Sequence, residues 1–232
     1  MKILAIDTCG AESTLAVAEV GAAGLSQIEQ STLPGRSCAE QILPGLRGLL
    51  AAEHTPLAQV KALVVVRGPG SFTGVRVGVS TAKAFAQALR LPVVGLSRLQ
   101  VLAYASGARA ALLDAGRGEF YWGAAGEEPA EVLLTAEAVR EQLARRGWAE
   151  ADLACCEEVV AKVFTRARRV DAPTAVEAAK LAQSRLMQKK FDDIAAMDGH
   201  YLRRSQAEVV AAAAASAHQN AGLAPDAEGA MR

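Results

Sequence analysis

Residues 67–76 read Arg67-Gly68-Pro69-Gly70-Ser71-Phe72-Thr73-Gly74-Val75-Arg76, with three glycines and a proline within seven residues. Ahead of it, Leu63-Val64-Val65-Val66 is a short unbroken apolar run, as expected of a strand covered on both faces. Behind it, Val75, Val79, Ala82 and Ala86 recur at helical spacing. The loop between them is a strand-to-helix connection in which glycines allow positive φ and close approach of a second backbone or a ligand. Ser71 or Thr73 can cap the helix, whose first free N–H groups attract anions. The loop does not end in the Gly-Lys-Ser/Thr of a Walker loop. Three residues separate Gly70 from Gly74, where a dinucleotide fingerprint has two. A tight structural turn and a phosphate cradle both remain open. Arg67, Arg76 and Lys83 bracket the loop either as solvated charges or as phosphate contacts at a seam with a partner.

Upstream, residues 3–6 form a first strand that runs into Asp7-Thr8-Cys9-Gly10. Asp7 either caps this turn through its side chain or meets phosphate and magnesium. Residues 14–20 suit a second, antiparallel strand, and residues 31–34 an irregular edge. A helix over about 37–53 carries Ile42, Leu43, Leu46, Leu49 and Leu50, with Pro44 and Gly45 expected to kink or split it. Downstream of the loop, residues 93–96 form a short strand, and Ser97 caps a helix through residue 105. The result is a strand-strand-helix-strand-helix-strand unit on a mixed sheet.

A second unit starts with a strand at 109–114, again ending in Asp, then a Gly116-Arg117-Gly118 turn and a returning strand at 119–124. This weakly echoes the start of the chain and then degenerates. A loop at 127–129 precedes a helix at 135–146 capped by Thr135, and residues 153–156 make a short strand. Thr174 and Glu177 form a capping box opening a helix to Lys189, where Lys189 and Lys190 suit the dipole. No second glycine-rich loop appears. The expected division is 1–105, 106–204 and an alanine-rich tail over 205–232 with one helix near 208–219.

The 232 residues suffice for one large domain or two small ones. No window approaches the roughly 18 apolar residues of a membrane span. Asp7 interrupts the first apolar stretch too early for a signal peptide, so the expected location is cytoplasmic, with no membrane partner. Cys9, Cys38, Cys155 and Cys156 offer no Cys-x-x-Cys pair and read as buried structural residues. The 25 basic and 25 acidic residues balance. Unaided binding of nucleic acid usually comes with a basic surplus, so any RNA contact is expected to be shared.

Only His54, His200 and His218 are available, and none lies within helical reach of another, so a His-x-x-x-His metal pair is impossible. Nothing like Gly-x-Ser-x-Gly supports a serine nucleophile. No catalytic residue, cofactor or metal ligand is therefore assigned.

The run from Arg67 to Lys83 resembles the signature of the TsaB (YeaZ) family, as do residues 3–8, Leu113-Asp-Ala-Gly-Arg-Gly-Glu-Phe-Tyr121 and Tyr201-Leu-Arg203. Gly116 stands where an Arg is common in that family, and Cys38 where many relatives have His. The resemblance implies an α/β fold of two actin-like (ASKHA) lobes, the second smaller and eroded. It implies a non-catalytic subunit of the complex that transfers threonylcarbamoyl to the adenosine beside the anticodon of tRNAs. The implied partners are a TsaD-like transferase, a TsaE-like ATPase and tRNA through the assembled complex, with a self-paired dimer when alone. The TsaD paralogue carries a paired-histidine metal motif that this chain lacks. A nucleotide or phosphate seam would involve Asp7, Gly68, Gly70, Ser71, Thr73 and Arg76. A partner interface on the two helices would involve Ile42, Leu43, Leu46 and Leu50, and Val75, Val79, Ala82 and Ala86. A small-molecule kinase or ATPase of actin-like fold is the alternative.

Overall fold

The computed structural model describes residues 1–33, 38–126 and 131–202, and Met1–Leu202 forms one compact unit. Its first sheet comprises β1 (Lys2–Asp7), β2 (Ser13–Gly21), β3 (Gly24–Leu33), β4 (Val60–Val66) and β5 (Val93–Leu96), in the order β3-β2-β1-β4-β5. β1 pairs antiparallel with β2 and parallel with β4, and β5 lies parallel to β4. The apolar runs of β1 and β4 are buried on both faces, as their unbroken pattern requires. Residues 31–34 were expected to be irregular. Residues up to Leu33 instead close a ten-residue edge strand, β3, paired along β2. Its polar sequence, Gly-Leu-Ser-Gln-Ile-Glu-Gln-Ser-Thr-Leu, is largely exposed, so the strand carries no alternating apolar signal to read.

The second sheet comprises β6 (Ala110–Gly116), β7 (Glu119–Ala124), β8 (Val132–Thr135), β9 (Leu153–Cys155) and β10 (Arg168–Arg169), in the order β10-β9-β6-β7-β8. Read from the other edge this is the same order as the first sheet, with the same antiparallel and parallel pairings. The echo at Asp114 therefore extends through the strand order of the whole sheet. All five strands persist, and erosion affects their length, down to three residues in β9 and two in β10.

The helices are α1 (Cys38–Ala52), α2 (Phe72–Leu89), α3 (Arg98–Ser106), α4 (Ala136–Arg146), α5 (Glu158–Val163) and α6 (Ala175–Met187). Pro44 lies inside α1 without splitting it. α1 and α2 cover one face of the first sheet, and α4 and α5 one face of the second. The other two faces are exchanged: α3 packs on β6, β7 and β9, while α6 packs across β1–β5. The faces meet at an α3–α6 contact. Ala175, Ala178, Ala179 and Ala182, fully buried in the first core, let α6 lie close to its sheet. The Thr174 capping box is present, as is a matching one at Ser97 and Gln100 before α3. α6 stops at Met187, short of Lys189, which takes a φ of 55°. The loop expected at 127–129 and the tail expected over 205–232 lie outside the described residues. Two five-stranded mixed sheets of the same strand order, with their covering helices, make up the described chain.

Candidate functional site

The glycine loop joins β4 to α2 at the end of the first sheet where β1 also terminates. Ser71, not Thr73, caps α2: its Oγ accepts the Gly74 N–H at 3.3 Å. The Ser71 N–H donates to the Cys9 carbonyl at 2.9 Å, and the Arg98 N–H to the Gly68 carbonyl at 2.7 Å. Thr8 Oγ1 donates to the Gly74 carbonyl at 2.6 Å, and Cys9 Sγ to the Val66 carbonyl at 3.3 Å. A Cβ on Gly70 would stand 2.3 Å from the Cys9 oxygen, one on Gly74 1.9 Å from the Thr8 oxygen, and one on Gly78 2.3 Å from Thr8 Oγ1. These glycines therefore bring the loop and the start of α2 against the turn after β1. Of the two readings of the loop, the geometry favours the structural turn.

Asp7 is buried, and its Oδ1 accepts the Cys9 N–H at 2.9 Å, the turn-capping role. Burial pushes its carboxyl up, and the Arg98 charge and the Cys9 hydrogen bonds pull it back. Arg98, only 4% exposed, opens α3 and reaches towards the second unit, with Nη1 3.8 Å from Glu157 Oε1. Glu157 accepts the Asp114 N–H, and burial raises its carboxyl against that hydrogen bond and Arg98. Asp114, at the place in β6 that Asp7 holds in β1, repeats the same turn: its Oδ1 accepts the Gly116 N–H at 2.8 Å. Burial pushes the Cys156 thiol to about 11, with Arg98 acting against it. Asp7, Arg98 and Glu157 thus form a charged seam between the two units. Arg98 and Glu157 were not foreseen. The signal was a lone arginine inside the apolar run 93–103, since a charge there needs a buried partner.

Of the expected phosphate-seam residues, the fold brings Asp7, Gly68, Gly70 and Ser71 together. Thr73 and Arg76 point outward, and the Arg76 guanidinium lies 5.3 Å over the Phe72 ring, itself 5.3 Å from Tyr201. Arg67 and Lys83 are turned onto the segment that ends the described chain. Lys83 Nζ donates to the Met197 carbonyl at 2.7 Å and Arg67 Nη1 to the Asp198 carbonyl at 3.4 Å. His200 Nε2 lies 2.8 Å from Glu131 Oε2. Among the described residues, no three His, Cys, Asp or Glu side chains converge as a metal site.

The expected interface residues divide sharply. Ile42, Leu46, Val75, Val79, Ala82 and Ala86 are buried in the chain's own first core, which leaves them no surface to offer. Leu50 is half-buried and Leu43 is 58% exposed. The expectation failed at the buried six because α1 and α2 both cover one sheet face, and their apolar stripes serve it. Among the described residues, no helix is long and apolar enough to cross a membrane.

The sequence model of the family described as "TsaD: tRNA N6-adenosine threonylcarbamoyltransferase" matches residues 32–146. The chain is 34% identical over 157 residues to the Escherichia coli tRNA threonylcarbamoyladenosine biosynthesis protein TsaB, covering 62% of this chain and 66% of that one. It is 34% identical over 127 residues to the Bacillus subtilis protein of the same name, covering 53% and 54%. The alignments thus span less than two thirds of these relatives. The solved structure of YeaZ from Pseudomonas aeruginosa superposes with a TM-score of 0.70 at 25% identity, covering 87% of this chain and 99% of that one. Signature loop, duplicated sheet order and these likenesses agree, and the chain belongs to the TsaB (YeaZ) family.

Proposed function

We propose that this chain is a non-catalytic subunit in the biosynthesis of threonylcarbamoyladenosine on tRNA, working by holding a TsaD-like transferase in a competent conformation. A TsaE-like ATPase and tRNA would join the assembled pair, and the free chain would pair with itself. The observation that carries this reading is the packing of Gly70, Gly74 and Gly78 against Thr8 and Cys9. The features that suggested a kinase, Asp7 and the glycine loop, are engaged with the chain's own first turn. That favours a supporting role over phosphoryl transfer. The partner surface belongs to the outward residues of α1 and α2, with Leu43, Phe72 and Leu89 as exposed apolar members.

The test is reconstitution. The chain is mixed with its transferase homologue and sized by light scattering, and modified nucleoside is then measured with the ATPase and tRNA present. A one-to-one complex, with product only when this chain is included, is the expected result. Leu43→Asp should weaken that complex while leaving the fold intact. A transferase that works equally well alone would refute the reading. Magnesium-dependent ATP turnover by the isolated chain, lost in Asp7→Ala, would replace it with the kinase alternative.

A further inference from the structure

The chain's balanced charge conceals an uneven distribution. Ala110 pairs with Leu153 and Ala154 with Arg168, so the starts of β6, β9 and β10 lie side by side at one end of the second sheet. This is the end of β6 away from Asp114 and the charged seam. Arg109 immediately precedes β6, Arg166 stands two residues before β10, and Arg168 and Arg169 compose that exposed edge strand. α4 ends there at Arg146 and delivers Trp148. The guanidinium carbons of Arg109 and Arg146 stand 5.7 and 5.2 Å from the Trp148 ring centroid. The same indole stacks on the buried Trp122 at 6.5 Å.

The carboxylates at this end are few. Asp152 lies 3.6 Å from Arg109, and Glu150 lies 4.0 Å from Arg140 while accepting the Arg166 N–H at 3.3 Å. The Arg109 and Arg140 side chains are 62% and 49% exposed, and exposed pairs of this kind hold by at most about 1 kcal/mol, so a stronger anion can displace them. Arg168 donates one N–H to the Ser106 carbonyl at 2.6 Å, which fixes the side chain and leaves the rest of its planar fork for a ligand.

We propose that this end of the second sheet contacts the phosphate backbone of a folded RNA. Every cation named here is an arginine, whose planar fork grips phosphate in a bidentate manner. The Arg–Trp–Arg stack offers flat surfaces of the kind on which unpaired bases settle. Residues 145–152 and 165–170 include no exposed large apolar side chain, so a lipid surface would find nothing to insert. The choice of RNA over other polyanions rests on the proposed function.

The test is fluorescence anisotropy with a labelled unmodified tRNA transcript, on the chain alone and with its transferase homologue. It compares Arg168→Ala/Arg169→Ala with Lys61→Ala/Lys190→Ala, a pair of exposed cations elsewhere. Loss of two phosphate contacts should lower the slope of log affinity against log salt by about 1.4–1.8. The advantage of the unsubstituted chain then shrinks about tenfold from roughly 50 to roughly 200 mM salt. The control pair should leave the slope alone. An unchanged slope in the arginine variant, or equal binding of polyglutamate or anionic lipid vesicles, overturns the proposal. Light scattering separates this failure from failure of the proposed function. A normal heterodimer and normal product with an unchanged slope refute the RNA surface only. The expected loss of RNA affinity without any heterodimer refutes the accessory role only.

Discussion

A methyl group on Gly74 would lie 1.9 Å from the Thr8 carbonyl oxygen, and the atom it meets is backbone, which cannot swing aside. Gly74→Ala should therefore destabilise the chain by at least the upper end of the roughly 1–3 kcal/mol typical of overpacking. Gly48, in α1, has nothing within 4 Å of its would-be Cβ and no positive φ. Gly48→Ala should stabilise by about 0.5–1 kcal/mol through helix propensity. Urea denaturation of the two variants gives opposite signs if the argument holds, and equal losses would show that the loop's close packing is not the cause. Cys156 gives a second prediction at this scale. With its thiol raised to about 11 by burial, its alkylation in the native chain near pH 8 should be about tenfold or more slower than in the unfolded chain. The loop was legible in the sequence as a strand-to-helix turn capped near its start. Its counterpart was not: nothing local says that three glycines are shaped around Thr8 and Cys9, more than sixty residues earlier.

Among the elements, those with a strong apolar period or run declared themselves, and those decided by distant partners did not. β1, β4, α2, the Ser97 cap and the Thr174 capping box follow from residues within one turn or one run. β3 and β10 are edge strands whose largely exposed sequences carry no pattern beyond the pairing they receive, and β8 is too short, at four half-exposed residues, to show an alternation. The exchange of α3 and α6 was illegible for the same reason, since each helix covers a sheet that the other half of the chain builds. The alanine face of α6 marks a close contact without naming its partner. Ala182→Leu, at a fully buried position in that face, should cost roughly 1–3 kcal/mol by overpacking, whereas Lys180→Leu on the exposed side should cost little. Thermal unfolding of both variants checks this, and equal tolerance would mean that α6 does not pack as described. α1 makes the reverse case. Pro44 is exposed and lacks the N–H its helix needs, so Pro44→Ala should stabilise by up to about 3 kcal/mol. A loss on that substitution would mean that the proline shapes α1 for a purpose the isolated chain does not reveal.

At the scale of the molecule, the same five-strand order occurs twice, and the two copies of the first-strand aspartate turn face one seam. In a duplicated α/β unit of this kind the crevice between copies is where a ligand is ordinarily held. Here Arg98 occupies it with Asp7 on one side and Glu157 on the other. Both carboxyls are raised by burial above their ordinary values near 3.8 and 4.5. The folded chain therefore binds their protons more readily than the unfolded chain does, and this part of the stability is greatest below those ordinary values. It falls as pH rises through the raised ones. Arg98 moderates that fall, because its charge favours both ionised carboxylates. Arg98→Met removes the cation and keeps much of the length, leaving the buried Asp7 and the half-buried Glu157 without their partner. The expected loss near neutral pH is about 3–5 kcal/mol, the usual consequence of breaking a buried pair from one side. Near pH 4 the loss should be clearly smaller, because both carboxyls can take up protons in the folded chain. Arg98→Lys, which restores charge without the fork, should fall between. Urea unfolding of the three chains across that pH range decides the matter. A loss of equal size at both ends of the range would mean that Arg98 fills space at the seam and that its charge does not tie the two units together.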